Sequence, residues 1–292
     1  MSEEKKSRTE ENTTIEDITT GQERAFYGSR NVYFKNITIK GTENGESAFK
    51  ECKNITIEST SIYLNYCIWH CTNLNIYKSL IDESSRADLW YCNNVEIIDS
   101  KLVGIKSCRN CINLRLKDTL VKSDEFGWQC EGVKVENCKL SGTYHFLSSS
   151  NIECQNTEAT AKYIFQYANN ISLYNVNIET KDCFWHAKNV YCKGCTFKGE
   201  YLAWYSENVV LEDCHIESIQ PLCYCKKLKL INCTMKNCNL AFEYSEVEAD
   251  IHSHVDSIRN VLSGKIVVDS LGEYVQDEHV YDCKGIIEIR KK

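Results

Sequence analysis

The feature that most constrains this chain is a repeat of 19 residues. A column made mostly of Asn recurs at this spacing seven times in succession, at Asn94, Asn113, Gly132, Asn151, Asn170, Asn189, Asn208 and Lys227. Asn54 to Asn73 is another such step, whereas the steps from Asn31 to Asn54 and from Asn73 to Asn94 are longer by four and by two residues. Repeat positions are numbered 1 to 19 from this column.

Within each repeat, apolar and polar residues alternate in short bursts. Positions 2 and 4 are apolar in nearly every repeat, as at Ile171 and Leu173, position 9 is apolar again, and positions 7 and 18 carry small residues. This period of two, with no stretch of helical period, predicts short β-strands. Short strands at a fixed period below about 25 residues predict a solenoid, because each coil must bury its apolar face by stacking on the next.

We therefore predict an all-β fold, a single-stranded right-handed parallel β-helix of about 12 coils. Stacked Asn side chains can hydrogen-bond from coil to coil, and Asn and Gly both tolerate the left-handed turns that such coils need. A leucine-rich repeat fits less well because it requires a helical return segment. The predicted organisation is a disordered polar tail over residues 1–20, the β-helix over 21–264, and cap strands over 265–292, including Lys265–Asp269 and Gly285–Ile289.

The 18 Cys residues fall mostly in the small or inward columns of the repeat. We interpret them as compact core residues. The pairs Cys108-x-x-Cys111 and Cys192-x-x-Cys195 resemble half of a zinc or redox motif, which leaves a metal- or redox-active protein as a minor alternative. The polar segment after Met1 has no apolar stretch typical of a signal peptide, so we expect reduced thiols and a cytoplasmic location.

Charge excludes some classes of partner. Lys plus Arg total 34 and Asp plus Glu total 41, which gives a net charge of −7. This balance disfavours nucleic acid and anionic membranes as partners, and no apolar run is long enough to cross a bilayer. The pattern does not specify an oligomeric state.

Positions 15 to 17 are rich in aromatic residues in most repeats. We expect position 17 to face outward, because it also carries polar residues, and position 16 to face inward, because consecutive strand residues point to opposite sides. Rings repeated once per coil suit an extended oligo- or polysaccharide, with ring faces against apolar sugar faces; the alternative is that they stack across coils and only stabilise the sheet. The predicted ligand-binding residues are His70, Tyr91, Trp128, Tyr167, Tyr205 and Tyr224.

Acidic residues cluster beside this row. Asp182 and Glu200 occupy positions 13 and 12 of neighbouring repeats, so one coil step brings them within the range of separations used in glycoside hydrolysis. A lyase would instead use a basic residue such as Arg109, with carboxylates holding a divalent cation such as calcium; no other cofactor is predicted. The predicted catalytic residues are Asp182, Glu200, His186 and Arg109.

Several segments resemble an uncharacterised bacterial family of unknown function whose members are right-handed β-helices placed near the pectate-lyase fold. The resemblance is carried by the runs Gly21–Gly28, Ala87–Cys92, Thr180–His186, Lys198–Ser206, Gln220–Lys226 and Leu240–Glu243. It covers about residues 21 to 290 and implies the fold. It implies no established activity and no catalytic residues.

Two functional hypotheses follow. The first is a cytoplasmic β-helix that binds a carbohydrate along the aromatic row and, if it is an enzyme, acts as a polysaccharide lyase or glycoside hydrolase. The second is a non-enzymatic scaffold or interaction protein. A surface on which carboxylates and rings converge would favour the first, and its absence would favour the second.

Overall fold

In the computed structural model, which describes residues 9–41, 46–277 and 281–291, the repeats form the coils of a parallel β-helix, as predicted. Each typical coil has a six-residue strand followed by a shorter one. The chain divides into two compact units, Met1–Gly142 (unit 1) and Thr143–Lys292 (unit 2). Among the described residues there is no helix of the length and apolarity that a membrane crossing requires.

The strands of unit 1 form two parallel sheets. The long-strand sheet contains β1 (Glu11–Glu16), β3 (Arg30–Lys35), β5 (Lys53–Glu58), β7 (Thr72–Tyr77), β9 (Asn93–Ile98), β11 (Ile112–Lys117) and β13 (Glu131–Glu136). The short-strand sheet contains β2 (Thr19–Thr20), β4 (Thr38–Ile39), β6 (Ser61–Ile62), β8 (Leu80–Ile81), β10 (Lys101–Leu102), β12 (Leu120–Lys122) and β14 (Lys139–Thr143). Neighbouring coils pair in register, as Ile55 does with Leu74, so each repeat position forms a column.

Unit 2 has the same arrangement. Its long-strand sheet contains β15 (Ser150–Gln155), β17 (Asn169–Tyr174), β19 (Lys188–Lys193), β21 (Glu207–Glu212), β23 (Lys226–Met235), β24 (Glu246–Arg259), β25 (Ser263–Val275) and β26 (Ile286–Ile289). Its short-strand sheet contains β16 (Glu158–Lys162), β18 (Asn177–Lys181), β20 (Thr196–Glu200) and β22 (His215–Ile219), and the later part of β23 pairs with β22.

The predicted disordered tail over residues 1–20 is wrong where the structure describes it. Strand β1 pairs in parallel with β3, and Ile15 packs over Phe34 with only 8% of its surface exposed. The missed signal is Asn12, which lies 19 residues before Asn31 and begins one more repeat. Residues 1–8 lie outside the described part of the chain.

Both predicted C-terminal strands are present. Lys265–Asp269 lies within β25, and Gly285–Ile289 overlaps β26. Strand β25 pairs in parallel with β24, and β26 pairs in parallel with β25, so they are further coils of the long-strand sheet. With β1 and these strands, the described residues contain seven long strands in unit 1 and eight in unit 2, somewhat more than the coil number predicted.

Residues with left-handed backbone recur at positions 1, 6, 13, 15 and 17. In one coil of unit 2 they are Asn170, Asn175, Asp182, Phe184 and His186, with φ between +52° and +61°. Asn and Asp tolerate this conformation because their short side chains bond locally. The alternation of left-handed residues from position 13 to 17 makes this part of the coil a corner rather than a strand.

The amide column predicted at position 1 is present in both units. Asn73 donates to the Oδ1 of Asn54 at 2.7 Å in unit 1, and Asn208 donates to the Oδ1 of Asn189 at 2.8 Å in unit 2. Where consecutive coils both carry Asn at position 1, they are therefore bonded through side chains as well as strands. A net contribution of about 1 kcal/mol is typical of one such bond.

Cysteines fill the core, as predicted. In the described structure none of the 18 forms a disulfide, and all except Cys283 are buried. Position-18 thiols donate to a backbone carbonyl of the preceding coil, as Cys71 does to Phe49 at 2.9 Å and Cys225 does to Ala203 at 2.9 Å. Burial raises the pKa of the Cys71 thiol well above its ordinary value, so it remains protonated and unreactive.

Candidate functional site

The corner of each coil determines which aromatic residues reach the surface. Position 17 is the outer column, as predicted: Tyr167 and Tyr205 are 55% and 42% exposed. The prediction that position 16 faces inward is wrong, because Trp185 and Trp204 are half-buried at the surface. Position 15 faces the core instead, as Phe184 does. Left-handed residues at positions 15 and 17 remove the strand alternation on which the prediction relied.

Unit 2 carries the longest stack of rings in the outer column, formed by Tyr167, His186, Tyr205 and Tyr224. Successive ring centroids are 5.2, 5.0 and 4.6 Å apart, and the rings are within 11° of parallel. The ring faces therefore cover one another. This differs from the expected platform of open faces, since the column presents ring edges, with hydroxyl groups and imidazole nitrogens, to solvent.

Unit 1 has a shorter outer stack. His70 and Tyr91 are parallel within 8° at 5.0 Å. The next two coils carry amides at this position, and Asn110 donates to Gln129 at 3.4 Å. The ring column of unit 1 thus ends after two members.

The predicted catalytic residue Arg109 lies in the half-buried column of unit 1. Its guanidinium is 4.6 Å from the ring centre of Trp90 and 4.5 Å from that of Trp128. Its Nη2 lies 3.2 Å from Glu125, whose same oxygen is 3.2 Å from the ammonium of Lys106. The two ring contacts stabilise the column through cation–π attraction, and Glu125 pairs with the positive charge of Arg109. The predicted ligand-binding Trp128 is one of its two ring partners.

The predicted catalytic residues Asp182 and Glu200 lie in neighbouring coils of unit 2. The backbone N–H of Asp182 donates to the carbonyl of Glu200 at 3.0 Å. The ammonium of Lys181 lies 3.4 Å from Oε2 of Glu200 and 5.3 Å from the ring centre of Tyr201. His186, the third predicted catalytic residue of this unit, instead has its ring in the outer stack.

Asp182 occupies a place where neighbouring coils carry tyrosine. Position 13 is Tyr163 in the coil before it and Tyr201 in the coil after it. Only 7% of Asp182 is exposed, and its carboxyl makes no hydrogen bond within the described residues. Burial raises the pKa of this carboxyl and the nearby charge of Glu200 adds to the effect, whereas Lys181 opposes it.

The outer face of the short-strand sheet in unit 2 has two recesses that the sequence analysis missed. One of about 480 Å³ lies over β16, β18 and β20, and one of about 420 Å³ lies over β20 and β22. Lys198 lines both, and the strand register places it opposite Glu179 on one side and Glu217 on the other. The sequence feature that could have revealed these recesses is the charged residue at position 10 of successive repeats, at Glu179, Lys198 and Glu217.

A second polar cluster missed by the sequence analysis lies at the end of the ring column. The hydroxyl of Tyr224 donates to Glu243 at 3.2 Å, and Arg259 bridges Glu243 at 3.4 Å and Asp277 at 2.7 Å. Burial raises the pKa of Tyr224, so its hydroxyl remains a donor. Glu243 itself occupies position 17, which was the available signal.

Metal ligands are sparse in the part of the chain that the structure describes. There, no three His, Cys, Asp or Glu side chains form a group able to hold a metal ion. Of the candidate carboxylates, Glu200 is already ion-paired with Lys181. The calcium expected for a lyase therefore has no assigned ligands.

Comparison with known proteins identifies a family. The family model described as "Protein of unknown function (DUF3737)" matches residues 13–288. No curated protein matches. Among solved structures, the chain resembles PfbA, a surface adhesin of Streptococcus pneumoniae, with 9% identity, a TM-score of 0.38, and coverage of 85% of this chain and 70% of that chain. It also resembles a double mutant of the periplasmic alginate epimerase AlgG, with 9% identity, a TM-score of 0.31, and coverage of 91% and 74%. These values are too low to assign an activity.

Proposed function

Because the chain belongs to DUF3737, a family of unknown function, we propose its role from the geometry of its surface: unit 2 binds a carbohydrate chain along the outer ring column. The observation that carries this proposal is the continuous stack of Tyr167, His186, Tyr205 and Tyr224, whose edges face solvent.

The chemistry of these edges suits a polyhydroxylated polymer. Tyrosine hydroxyls both donate and accept hydrogen bonds, and an imidazole offers a donor and an acceptor nitrogen. They recur once per coil, about 5 Å apart, so an extended chain of sugars can meet one polar edge after another. Because each ring face is covered by a neighbouring ring, sugars cannot stack on these faces. Hydrogen bonds to the ring edges therefore provide most of the recognition.

Polar groups beside the column extend this surface. Glu243 holds the hydroxyl of Tyr224 in place. On the other side of the corner, Lys198, Glu179 and Glu217 provide alternating donors and acceptors around the two recesses.

A scaffold function is the second candidate, and one observation favours it. The ring faces are covered by each other, and stacked aromatic pairs contribute about 0.5–1.5 kcal/mol each to stability without any ligand. If the protein is a scaffold, the only role of the outer ring column is to hold neighbouring coils together.

We also propose a cytoplasmic location. What supports it is that none of the 18 cysteines forms a disulfide in the described structure, and this many reduced thiols are typical of a reducing compartment. Quantifying the protein in the cytoplasmic and exported fractions tests the location, and thiol quantification in denaturant tests whether its cysteines are reduced there.

Calorimetry with hexasaccharides of glucose, mannose, xylose, N-acetylglucosamine and galacturonate tests the binding proposal. We expect at least one to bind, and Tyr205→Phe to weaken that binding up to about tenfold, because it removes one hydroxyl and keeps the stack. Tyr191→Phe is the matched control, since it removes a hydroxyl bonded to Glu212 on the long-strand sheet. If no hexasaccharide binds at millimolar concentration, the scaffold candidate replaces this proposal.

A further inference from the structure

We propose that Asp182 and Glu200 form an acid–base pair that hydrolyses a glycosidic bond of the bound carbohydrate. The inference rests on the proposed function, because the ring column holds the chain that is cut. It assigns Asp182 as the proton donor and Glu200 as the proton acceptor.

The geometry places both carboxyl groups at one corner. Position 13 of one coil lies directly beside positions 12 and 13 of the next, and the 3.0 Å backbone bond from Asp182 to Glu200 fixes this register. Strands in adjacent coils are about 4.8 Å apart, so the two Cα atoms are separated by roughly 6 Å. The charge of Glu200 also acts on the carboxyl of Asp182, so the two groups lie near one another at this corner.

Asp182 has the environment of an acid. It lies in a column between Tyr163 and Tyr201, with little exposure and no hydrogen bond to its carboxyl in the described structure. Desolvation disfavours its charged form, so the proton is held to a higher pH than in an exposed aspartate. A neutral carboxyl close to the surface can donate its proton to a leaving oxygen.

Glu200 has a different environment. It is half-buried, and its carboxylate is ion-paired with Lys181 at 3.4 Å. Lys181 is in turn held near the ring of Tyr201. Two carboxyl groups in neighbouring coils thus have contrasting surroundings, which is the pattern by which acid and base roles are separated.

The recess over β20 and β22 lies next to this pair in the sequence and in the strand register, although neither carboxyl residue lines it. Gly199, which lines the recess, precedes Glu200 in β20, and Ile219, which also lines it, lies opposite Glu200 in β22. Asp182 is at position 13, between the recess residues at positions 10 to 12 and the ring column at position 17. A chain that runs from the recess to the ring column therefore passes over Asp182.

The reaction needs only water as co-reactant. Asp182 gives its proton to the glycosidic oxygen while the bond from that oxygen to the anomeric carbon breaks. A water molecule forms the new bond to the anomeric carbon and passes one proton to Glu200. Solvent then carries a proton from Glu200 back to Asp182, so both carboxyl groups return to their starting states and two sugar hydroxyl ends are released.

Release of reducing ends from the hexasaccharide panel tests the assignment. We expect Asp182→Asn and Glu200→Gln each to lower the rate by about 10²–10⁴-fold while calorimetric affinity stays within about twofold. Asp213→Asn and Glu212→Gln are matched controls, exposed or ion-paired carboxylates elsewhere in unit 2, and should retain the full rate. The wild-type rate should fall as pH rises through the raised pKa of Asp182, because the acid form is required.

Three results overturn the inference. Binding without any release of reducing ends removes the catalytic role and leaves the proposed function intact. Release that persists in both variants removes these two residues from catalysis. Absence of both binding and release removes the inference together with the proposed function.

Discussion

Asp88 provides a sharp test of the core of unit 1, because a carboxyl group is sealed inside it. Asp88 has no exposed surface. Its Oδ1 accepts the backbone N–H of Cys67 at 2.9 Å, whereas Oδ2 is buried and has no hydrogen-bond partner among the described residues. Burial raises the pKa of this carboxyl from 3.8 to about 8, so it is neutral in the fold near neutral pH.

The raised pKa makes stability depend on pH. In the unfolded chain Asp88 ionises near pH 3.8, whereas in the fold it keeps its proton until about pH 8. Between these values the folded state binds more protons, so the free energy of unfolding falls as pH rises, and the contribution is complete only below the unfolded pKa. A difference of about 4 pKa units at 1.36 kcal/mol each gives an upper bound of about 6 kcal/mol for the total loss.

Asp88→Asn removes this titration and keeps an acceptor for the N–H of Cys67. Urea unfolding at pH 5, 6, 7 and 8 measures the effect. We expect the wild type to lose about 4 kcal/mol between pH 5 and pH 8 and the variant to lose less than about 1 kcal/mol. Asp99→Asn, at an exposed position, should follow the wild type. The series stops at pH 8 because thiols exposed on unfolding ionise above it and add their own dependence.

Parallel pH profiles for the wild type and Asp88→Asn would refute the reasoning. They would mean that Asp88 is ionised in the fold, with a compensating partner. A variant that is uniformly less stable but has lost the slope supports the titration and indicates that the amide packs poorly.

Three further predictions concern the columns. Arg109→Met should lower the free energy of unfolding by about 2 kcal/mol, because the guanidinium between Trp90 and Trp128 is lost, and tryptophan fluorescence should change with it. Asn170→Ala should cost about 2–3 kcal/mol in urea unfolding, since it removes ladder bonds and strains a residue with φ +56°, whereas Asn170→Gly should cost about 1 kcal/mol less. Ellman's reagent should modify Cys283 rapidly in the native protein and the other 17 thiols only on unfolding; rapid modification of several thiols would contradict their burial.

The repeat explains why so much of the fold was predictable from sequence. In a solenoid each residue lies beside the residue one repeat away, so a column read from the sequence is a column in space. The Asn ladder, the inward positions 2 and 4 and the buried cysteines all follow from this rule. The pairing of Asp182 with Glu200 was predicted for the same reason, since it depends only on register.

The corner was less predictable, because the two-residue alternation of a strand does not apply there. Left-handed residues at positions 13, 15 and 17 place position 15 in the core and leave Trp185 at the surface, contrary to expectation. The mutual stacking of His186 and Tyr205 also depends on side-chain rotation, which spacing does not specify. Strand β1 was missed because a polar segment with one apolar residue, Ile15, was interpreted from composition rather than from the Asn column.

In a solenoid, the residues that interrupt a column are the ones that stacking alone does not explain. Asp88 interrupts a buried column between Cys67 and Ser107, Arg109 interrupts a Trp column, and Asp182 interrupts a Tyr column. Asp88 is sealed from solvent, and Arg109 is neutralised by Glu125 and covered by rings. Asp182 differs from both, because its carboxyl makes no hydrogen bond within the described residues and lies near the charges of Lys181 and Glu200. Of the three interruptions, Asp182 is the one for which the proposed catalytic role explains why a carboxyl group is kept in a partly buried column at a cost in stability.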